Sequence, residues 1–334
     1  MPDVARAAGV SLKTVSRVIN GEQGVSAGTM ARVNEAIAAL GFRRNDIARG
    51  LRSGQTSASI GLVIGDIANP FYSAIARAVE TVAGPRHFMV VIGSSDESPE
   101  REQELVASLF QRRVDGLLVV PAPGSHRYLE AEIAMGTPIV FLDRPPVGIK
   151  ADTVVIENRK GAEQGVAHLI AEGHRRIAMV GDRPAIYTAR ERLAGYRRAL
   201  EAAGLPVDEG LMRLGPHDPE AAEAATYELL DLPDPPTAFF TSNNRMTVGV
   251  VHALWSRGVE AGLVGFDDFE LADMLPVPFT VITHQPSDMA GRAAELLFDR
   301  IDGNRGGPPR RIALPTELVP RGRGLTAAVG AGSR

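Results

Sequence analysis

Beyond residue 58 the chain alternates two hydrophobic rhythms. Uninterrupted apolar runs, SIGLVIGD, FMVVIGSS, DGLLVVPA and PIVFLDRP, are separated by amphipathic segments at 73–83, 98–112 and 126–135. The runs predict strands and the segments between them helices. A strand apolar on both faces must be covered on both, and parallel βαβ units supply that cover. A second series repeats the plan with RRIAMVGD, a helix over 188–203, AFFTSNN, a helix over 245–257 and GLVGFDD. The pattern predicts two doubly wound lobes, the first over about 59–157 plus 285–312 and the second over about 158–284 plus 313–321. The segments 280–302 and RIALPTELVPR complete and cross-connect them, and 322–334 reads as a loose tail.

The first 44 residues follow the helical rhythm alone. Pro2 opens a helix over 2–8, at a position whose missing N–H costs nothing, and Gly9 ends it. Val10 plugs the turn and Ser11 caps a second helix through Ile19. Asn20-Gly21 stops that helix, because both residues tolerate the left-handed conformation. Ser26 caps a third helix that repeats Val33, Ile37 and Leu40 along one face. With Val15 and Val18 turned inward, Leu12, Lys13, Ser16 and Arg17 face out, which suits base-edge and phosphate contacts in a major groove. The fold class expected is an all-α helix-turn-helix head with a linker, followed by a two-lobed α/β body with parallel sheets.

Charge supports that division. The 334-residue chain has a net charge of −4, yet residues 1–58 hold eight basic against four acidic side chains, so the head is at +4 and the remainder at −8. A basic head on an acidic body suits a polyanionic partner, whose binding is driven by counterion release. The absence of cysteine excludes disulfides, thiolate metal sites and cysteine nucleophiles, and none of the seven histidines falls in a metal-ligand spacing. Neither G-x-G-x-x-G nor a P-loop occurs, so dinucleotide and nucleoside triphosphate sites find no support. No apolar run approaches the 18 residues of a membrane span, and MPDVARAAGVS has no apolar signal core. A cytoplasmic protein without a cofactor, a metal or a membrane part is the expectation.

The strings AGVSLKTVSRVIN, GVSAGTMARVNEAIAALGF and ARGLRSGQT closely resemble the head of the lac-repressor family of bacterial transcriptional regulators. The resemblance implies a DNA-binding head over 1–44, in which Leu12, Lys13 and Arg17 read operator bases. Ser11, Thr14, Ser16 and Asn20 then lie near the DNA backbone, joined by Thr29. It also implies a hinge helix and linker over 45–58, where NDIARGLRS orders only on DNA and Leu51 wedges into the minor groove. Nine residues are too few to hold an isolated helix, and an apolar wedge can open a base step. Arg44 stands where the family usually has Pro, and Met30 where it often has Arg, with the helical pattern intact.

In doubly wound folds ligands meet the carboxyl ends of the strands. Here those ends carry Asn69, Phe71, Tyr72, Asp96, Asp143, Arg144, Arg192, Asn243, Asp267 and Gln285. Aromatic faces beside Asp, Asn, Arg and Gln suit a sugar, with its apolar C–H faces and rim of hydroxyls. The competing readings are structural: a turn-shaping ion pair for Asp143, a surface helical position for Arg192, a turn cap for Asp267, and packing under the first helix of the body for Phe71 and Tyr72. NPFY, FLDR, TARERLAGYRRAL, SNN and VGFDD also fall at family motif positions, and the body resembles a periplasmic sugar-binding protein, ribose-binding proteins in particular. That resemblance implies that Phe71 and Tyr72 touch the ring, that Asp143 and Arg144 close from one lobe, that Arg192, Asn243 and Asp267 hold hydroxyls from the other, and that Gln285 adds a polar contact. Two departures bear on the cleft floor: only VEAG precedes LVGFDD, and Asn244 replaces an aspartate common after Asn243.

The function expected is a homodimeric repressor of carbohydrate-utilisation genes, bound to near-palindromic operator DNA and controlled by a monosaccharide effector, with helix 73–83 at the dimer interface. An activator and a purine-responsive regulator are the rival readings. A sugar-modifying enzyme using Asp143 and Asp267 needs a raised carboxyl pKa and a placed nucleophile, which no motif signals.

Overall fold

A computed structural model of the chain describes residues 1–19, 22, 24–42, 57–304 and 307–321. They fall into two units, residues 1–57 and 58–334. Asn20, Leu51, the expected hinge helix and the tail 322–334 lie outside the described residues.

The head comprises α1 (Pro2–Ala8), α2 (Leu12–Ile19) and α3 (Ala27–Ala39). Gly9 ends α1 in the left-handed conformation at φ 62°, and the Val10 N–H returns to the Ala5 carbonyl at 3.0 Å. Ser11 caps α2 by accepting from the Thr14 N–H, and Ser26 caps α3 by accepting from the Thr29 N–H. Val4, Ala5, Ala8, Val15, Val33 and Ala36 form the shared core, with Val18 and Ile37 half-buried against it.

The body holds two six-stranded sheets. The first is built from β1 (Ser59–Ile64), β2 (Met89–Ser94), β3 (Gly116–Val119), β4 (Ile139–Leu142), β5 (Asp152–Ile156) and β11 (Arg311–Leu314), in the order β11-β5-β4-β3-β1-β2 and parallel throughout. The second takes β6 (Ile177–Gly181), β7 (Met212–Leu214), β8 (Ala238–Thr241), β9 (Gly262–Phe266), β10 (Phe279–Thr283) and β12 (Glu317–Arg321), in the order β12-β10-β9-β8-β6-β7, with only β12 antiparallel. Among the helices on these sheets are α4 (Pro70–Ala83), α5 (Pro99–Gln111), α6 (Glu130–Ala134), α7 (Asn158–Ala171), α8 (Tyr187–Ala202), α9 (Pro219–Leu230), α10 (Asn244–Arg257) and α11 (Pro286–Ile301). The chain crosses between lobes after β5, after β10 and after β11, since α7 packs on the second sheet and α11 on the first. β11 stays in the first sheet through Leu314, two residues past the expected crossing at 312.

Local chemistry moves two element starts. α4 begins at Pro70 rather than 73, because the Asn69 carboxamide caps it by accepting from the Phe71 N–H at 3.1 Å. The expected helix over 126–135 shrinks to a 3₁₀ turn at Arg127–Leu129 and the five residues of α6. Elsewhere close packing rests on a single missing side chain: a Cβ on Gly195 would lie 2.3 Å from the Arg159 carbonyl, so α7 and α8 approach backbone to backbone only because glycine is there.

Candidate functional site

On the head, α2 presents the face expected from its periodicity. Val15 is fully buried, while Leu12 is 52% exposed and Lys13 is exposed beside it. Arg17 reaches Glu22 at 3.5 Å with both side chains largely in solvent, a pairing weak enough to exchange for a phosphate or a base edge. Ser11 and Thr14 hydrogen-bond each other at 2.9 Å, as do Ser26 and Thr29, so these hydroxyls also serve as caps.

In the body, the carboxyl ends of the strands of both sheets meet at one cleft. From the first lobe it is lined by Asp66, Asn69, Phe71, Tyr72, Glu97, Asp143 and Arg144. From the second it is lined by Asp182, Thr188, Ala189, Arg192, His217, Ser242, Asn243, Arg245 and Asp267. Eight of the ten expected residues are therefore brought together. The free space between the lobes is about 50 Å³, room for a few water molecules, and the side chains take up much of the rest of the cleft.

Two ion-pair systems do the filling. Arg192, only 3% exposed, meets Asp267 at 2.6 and 3.1 Å through both terminal nitrogens and donates from Nε to Asn158 at 2.8 Å. Its guanidinium also stacks 3.6 Å above the centroid of Phe266. Opposite, Arg144 donates to both oxygens of Glu97, at 2.5 and 2.8 Å, to the Tyr72 hydroxyl at 3.0 Å, to Asp143 at 3.2 Å and to the Pro121 carbonyl at 3.2 Å. Both arginines are buried, so Arg192 is not the surface helical residue of the competing reading. Asp143 is the turn-shaping partner of Arg144 and a cleft residue at once. Burial raises the Asp143 carboxyl to about 6, against the opposing pull of Arg144 and Arg192. Tyr72 packs its ring in the core and turns its hydroxyl to Arg144 at the cleft. The Phe71 ring stands edge-on to it, with centroids 5.0 Å apart.

Backbone strain concentrates here. Asp96, Glu97, Asp143 and Asp267 all occupy the left-handed region, at φ 50°, 59°, 67° and 64°. Non-glycine residues rarely adopt it, and such strain gathers where surrounding structure enforces a functional arrangement. The backbone N–H groups of Asp143 and Asp267 are held by the Val154 and Ile282 carbonyls of the neighbouring strands, at 2.9 and 3.0 Å. Gly65 completes the arrangement, since a Cβ there would fall 2.5 Å from the Glu97 carboxylate.

Two expected residues lie elsewhere. Asp96 turns to solvent and pairs with Arg101, and the next residue, Glu97, enters the cleft in its place, because the double left-handed turn after β2 rotates the chain by one position. Gln285 immediately precedes α11 and lines a separate groove of about 560 Å³ with Ser287, Asp288 and Arg292. Sequence reasoning missed Asp182 and His217, which come from separate loops. His217 Nδ1 lies 3.2 Å from Asp182, and that hydrogen bond raises the imidazole pKa. It also missed His284, whose ring lies 5.8 Å from the Phe71 ring and has no hydrogen-bond partner on either nitrogen. Burial lowers its pKa, so it stays neutral. The two departures leave the cleft intact: the short VEAG turn still delivers β9 in register with β8, and Asn244 donates across the cleft to Asn69 at 3.1 Å. Among the described residues, no three His, Asp or Glu side chains converge as metal ligands, and no helix is long and apolar enough to cross a membrane.

A helix-turn-helix unit followed by a two-lobed receptor with a polar interlobe cleft defines a ligand-responsive DNA-binding protein. The sequence pattern described as bacterial regulatory proteins, lacI family, matches residues 1–45, and that of a periplasmic binding protein-like domain matches residues 166–322. The chain is 36% identical over 307 residues to the ribose operon repressor of Escherichia coli (strain K12), covering 90% of this chain and 92% of that protein. The structure of the lac repressor dimer bound to operator and the anti-inducer ONPF superposes with a TM-score of 0.81 at 28% identity, over 95% of this chain and 96% of that one. That of the Cra transcriptional dual regulator from Pseudomonas putida in complex with fructose 1-phosphate superposes with a TM-score of 0.73 at 27% identity, over 79% and 99%. The chain belongs to the lacI family of bacterial regulatory proteins. It is a sequence-specific DNA-binding transcriptional regulator.

Proposed function

We propose that this protein is a cytoplasmic, dimeric repressor of carbohydrate-utilisation genes whose operator affinity is set by a monosaccharide, a pentose first among candidates, bound between the lobes. The observation that carries the reading is the facing pair of arginine–carboxylate systems, Arg144 with Asp143 and Arg192 with Asp267, beside the Phe71 and Tyr72 rings. Paired carboxylates and guanidiniums offer the acceptors and donors that vicinal hydroxyls need, and an aromatic face takes the C–H side of the ring. The relative named for the ribose operon supports a pentose, and the relative crystallised as a dimer on operator supports two heads on a two-fold symmetric site. On the head, Leu12, Lys13 and Arg17 read bases while Ser11, Thr14 and Ser16 contact the backbone. Ligand binding changes operator affinity by favouring one interlobe arrangement over another, which requires unequal affinity for the two.

Calorimetric titration of the full chain with D-ribose, other pentoses, hexoses and purine bases tests the effector class. Saturable binding of a pentose or hexose is the expected result. Binding of a purine with no response to any sugar contradicts the reading.

A further inference from the structure

The cleft holds five carboxylates, Asp66, Glu97, Asp143, Asp182 and Asp267, against three guanidiniums, those of Arg144, Arg192 and Arg245, and the imidazole of His217. A guanidinium has five N–H donors. On Arg144 all five have protein acceptors: Nε on Asp143, Nη1 on Glu97 and the Pro121 carbonyl, Nη2 on Glu97 and the Tyr72 hydroxyl. Arg192 commits four, to Asn158, the Ser242 carbonyl and both oxygens of Asp267. Arg245 holds Asp66 at 2.9 Å and the His217 carbonyl at 3.4 Å. A phosphate dianion needs the opposite arrangement, with free donor forks and a surplus of positive charge. To obtain it from Arg144, the ligand must expel Glu97, whose side chain is only 4% exposed and would be left charged and unpaired. Hydroxyl groups make no such demand, since each carboxylate retains lone pairs that accept from an O–H.

We propose that the cleft takes an uncharged, donor-rich polyol and rejects its phosphate monoester, and that Glu97 is the residue that sets this selectivity by saturating Arg144. This deepens the sugar-effector reading and rests on it. Glu97 makes the selection for a local reason. Its left-handed backbone at φ 59° and the absence of a Cβ on Gly65 let its carboxylate meet Arg144 at two points.

The test is calorimetry at fixed pH and ionic strength on the full chain, comparing D-ribose with D-ribose 5-phosphate and D-glucose with D-glucose 6-phosphate, for the wild type, Glu97→Gln and Glu97→Asp. In the wild type the free sugar that binds is expected to bind at least tenfold more tightly than its phosphate. Glu97→Gln, which removes the competing charge from Arg144, is expected to narrow that ratio at least threefold, and Glu97→Asp to keep most of it. A phosphate ester that binds the wild type as tightly as the free sugar overturns the selectivity alone. An unchanged ratio in a folded Glu97→Gln overturns the role of Glu97. Binding of none of the four compounds, nor of any other pentose or hexose, by the wild type removes the sugar reading itself, and this inference with it.

Discussion

The cleft is governed by a handful of buried charges whose energetics can be followed residue by residue. Arg192→Ala leaves Asp267 at 8% exposure without its bidentate partner, and stranding a buried charge in this way costs about 3–5 kcal/mol. Urea unfolding is expected to register that loss, and a change below 1 kcal/mol would mean that water already reaches Asp267. Asp143 acts in the reverse sense. Its carboxyl titrates near 6 in the folded chain against an ordinary 3.8, so between those values the folded state binds more protons than the unfolded state. Stability attributable to this group therefore falls as pH rises from about 4 to 6 and levels off above. Asp143→Asn removes the titration, so the melting-temperature difference, variant minus wild type, should grow in the variant's favour across that window. A difference constant with pH would show that Asp143 is ionised throughout.

The strands and their carboxyl ends were legible in sequence because each apolar run stops at a polar residue that the next helix must leave exposed to the cleft. Asp143, Asn243 and Asp267 follow that rule, whereas Asp182, which ends RRIAMVGD in the same way, was passed over, and Arg192 reaches the cleft from within α8. The rule failed where backbone conformation overrode position in the run. The left-handed pair at Asp96 and Glu97 exchanged one carboxylate for the next, and the start of α11 at Pro286 drew Gln285 into another groove. β5, α7 and α9 were also not read from the pattern. α7 is rich in alanine and glycine and α9 in alanine, and their apolar stripe is faint because close helix contact replaces bulky side chains. Gly195→Ala tests that contact directly, since its new methyl must push α8 away from α7. A loss of about 1–3 kcal/mol is the usual scale for overpacking, readable in chemical denaturation, whereas a neutral substitution would mean that the two helices separate freely.

Across the whole body, the two lobes are tied over the cleft by Arg245 to Asp66 at 2.9 Å and Asn244 to Asn69 at 3.1 Å. Asn244 can make its contact because an amide donates. The aspartate common at that position could not donate to Asn69, whose oxygen already caps α4. Arg245→Ala should widen the cleft. The chain has no cysteine of its own, so a pair of introduced cysteines, one on each lobe, reports the separation by energy transfer. Unaltered transfer in the variant would mean that the Asn244–Asn69 contact and the interlobe connections set the closure without Arg245.

If a sugar in this cleft changes how the head binds DNA, operator affinity must register it. The most direct test is titration of a selected near-palindromic operator duplex with the full chain, at constant ionic strength because phosphate contacts make affinity steeply salt-dependent, with and without D-ribose and a panel of other monosaccharides. Specific binding is expected whose Kd shifts at least tenfold, in either direction, with one of these sugars, while binding to non-specific DNA does not shift. Specific operator binding that no monosaccharide alters would contradict control by a sugar.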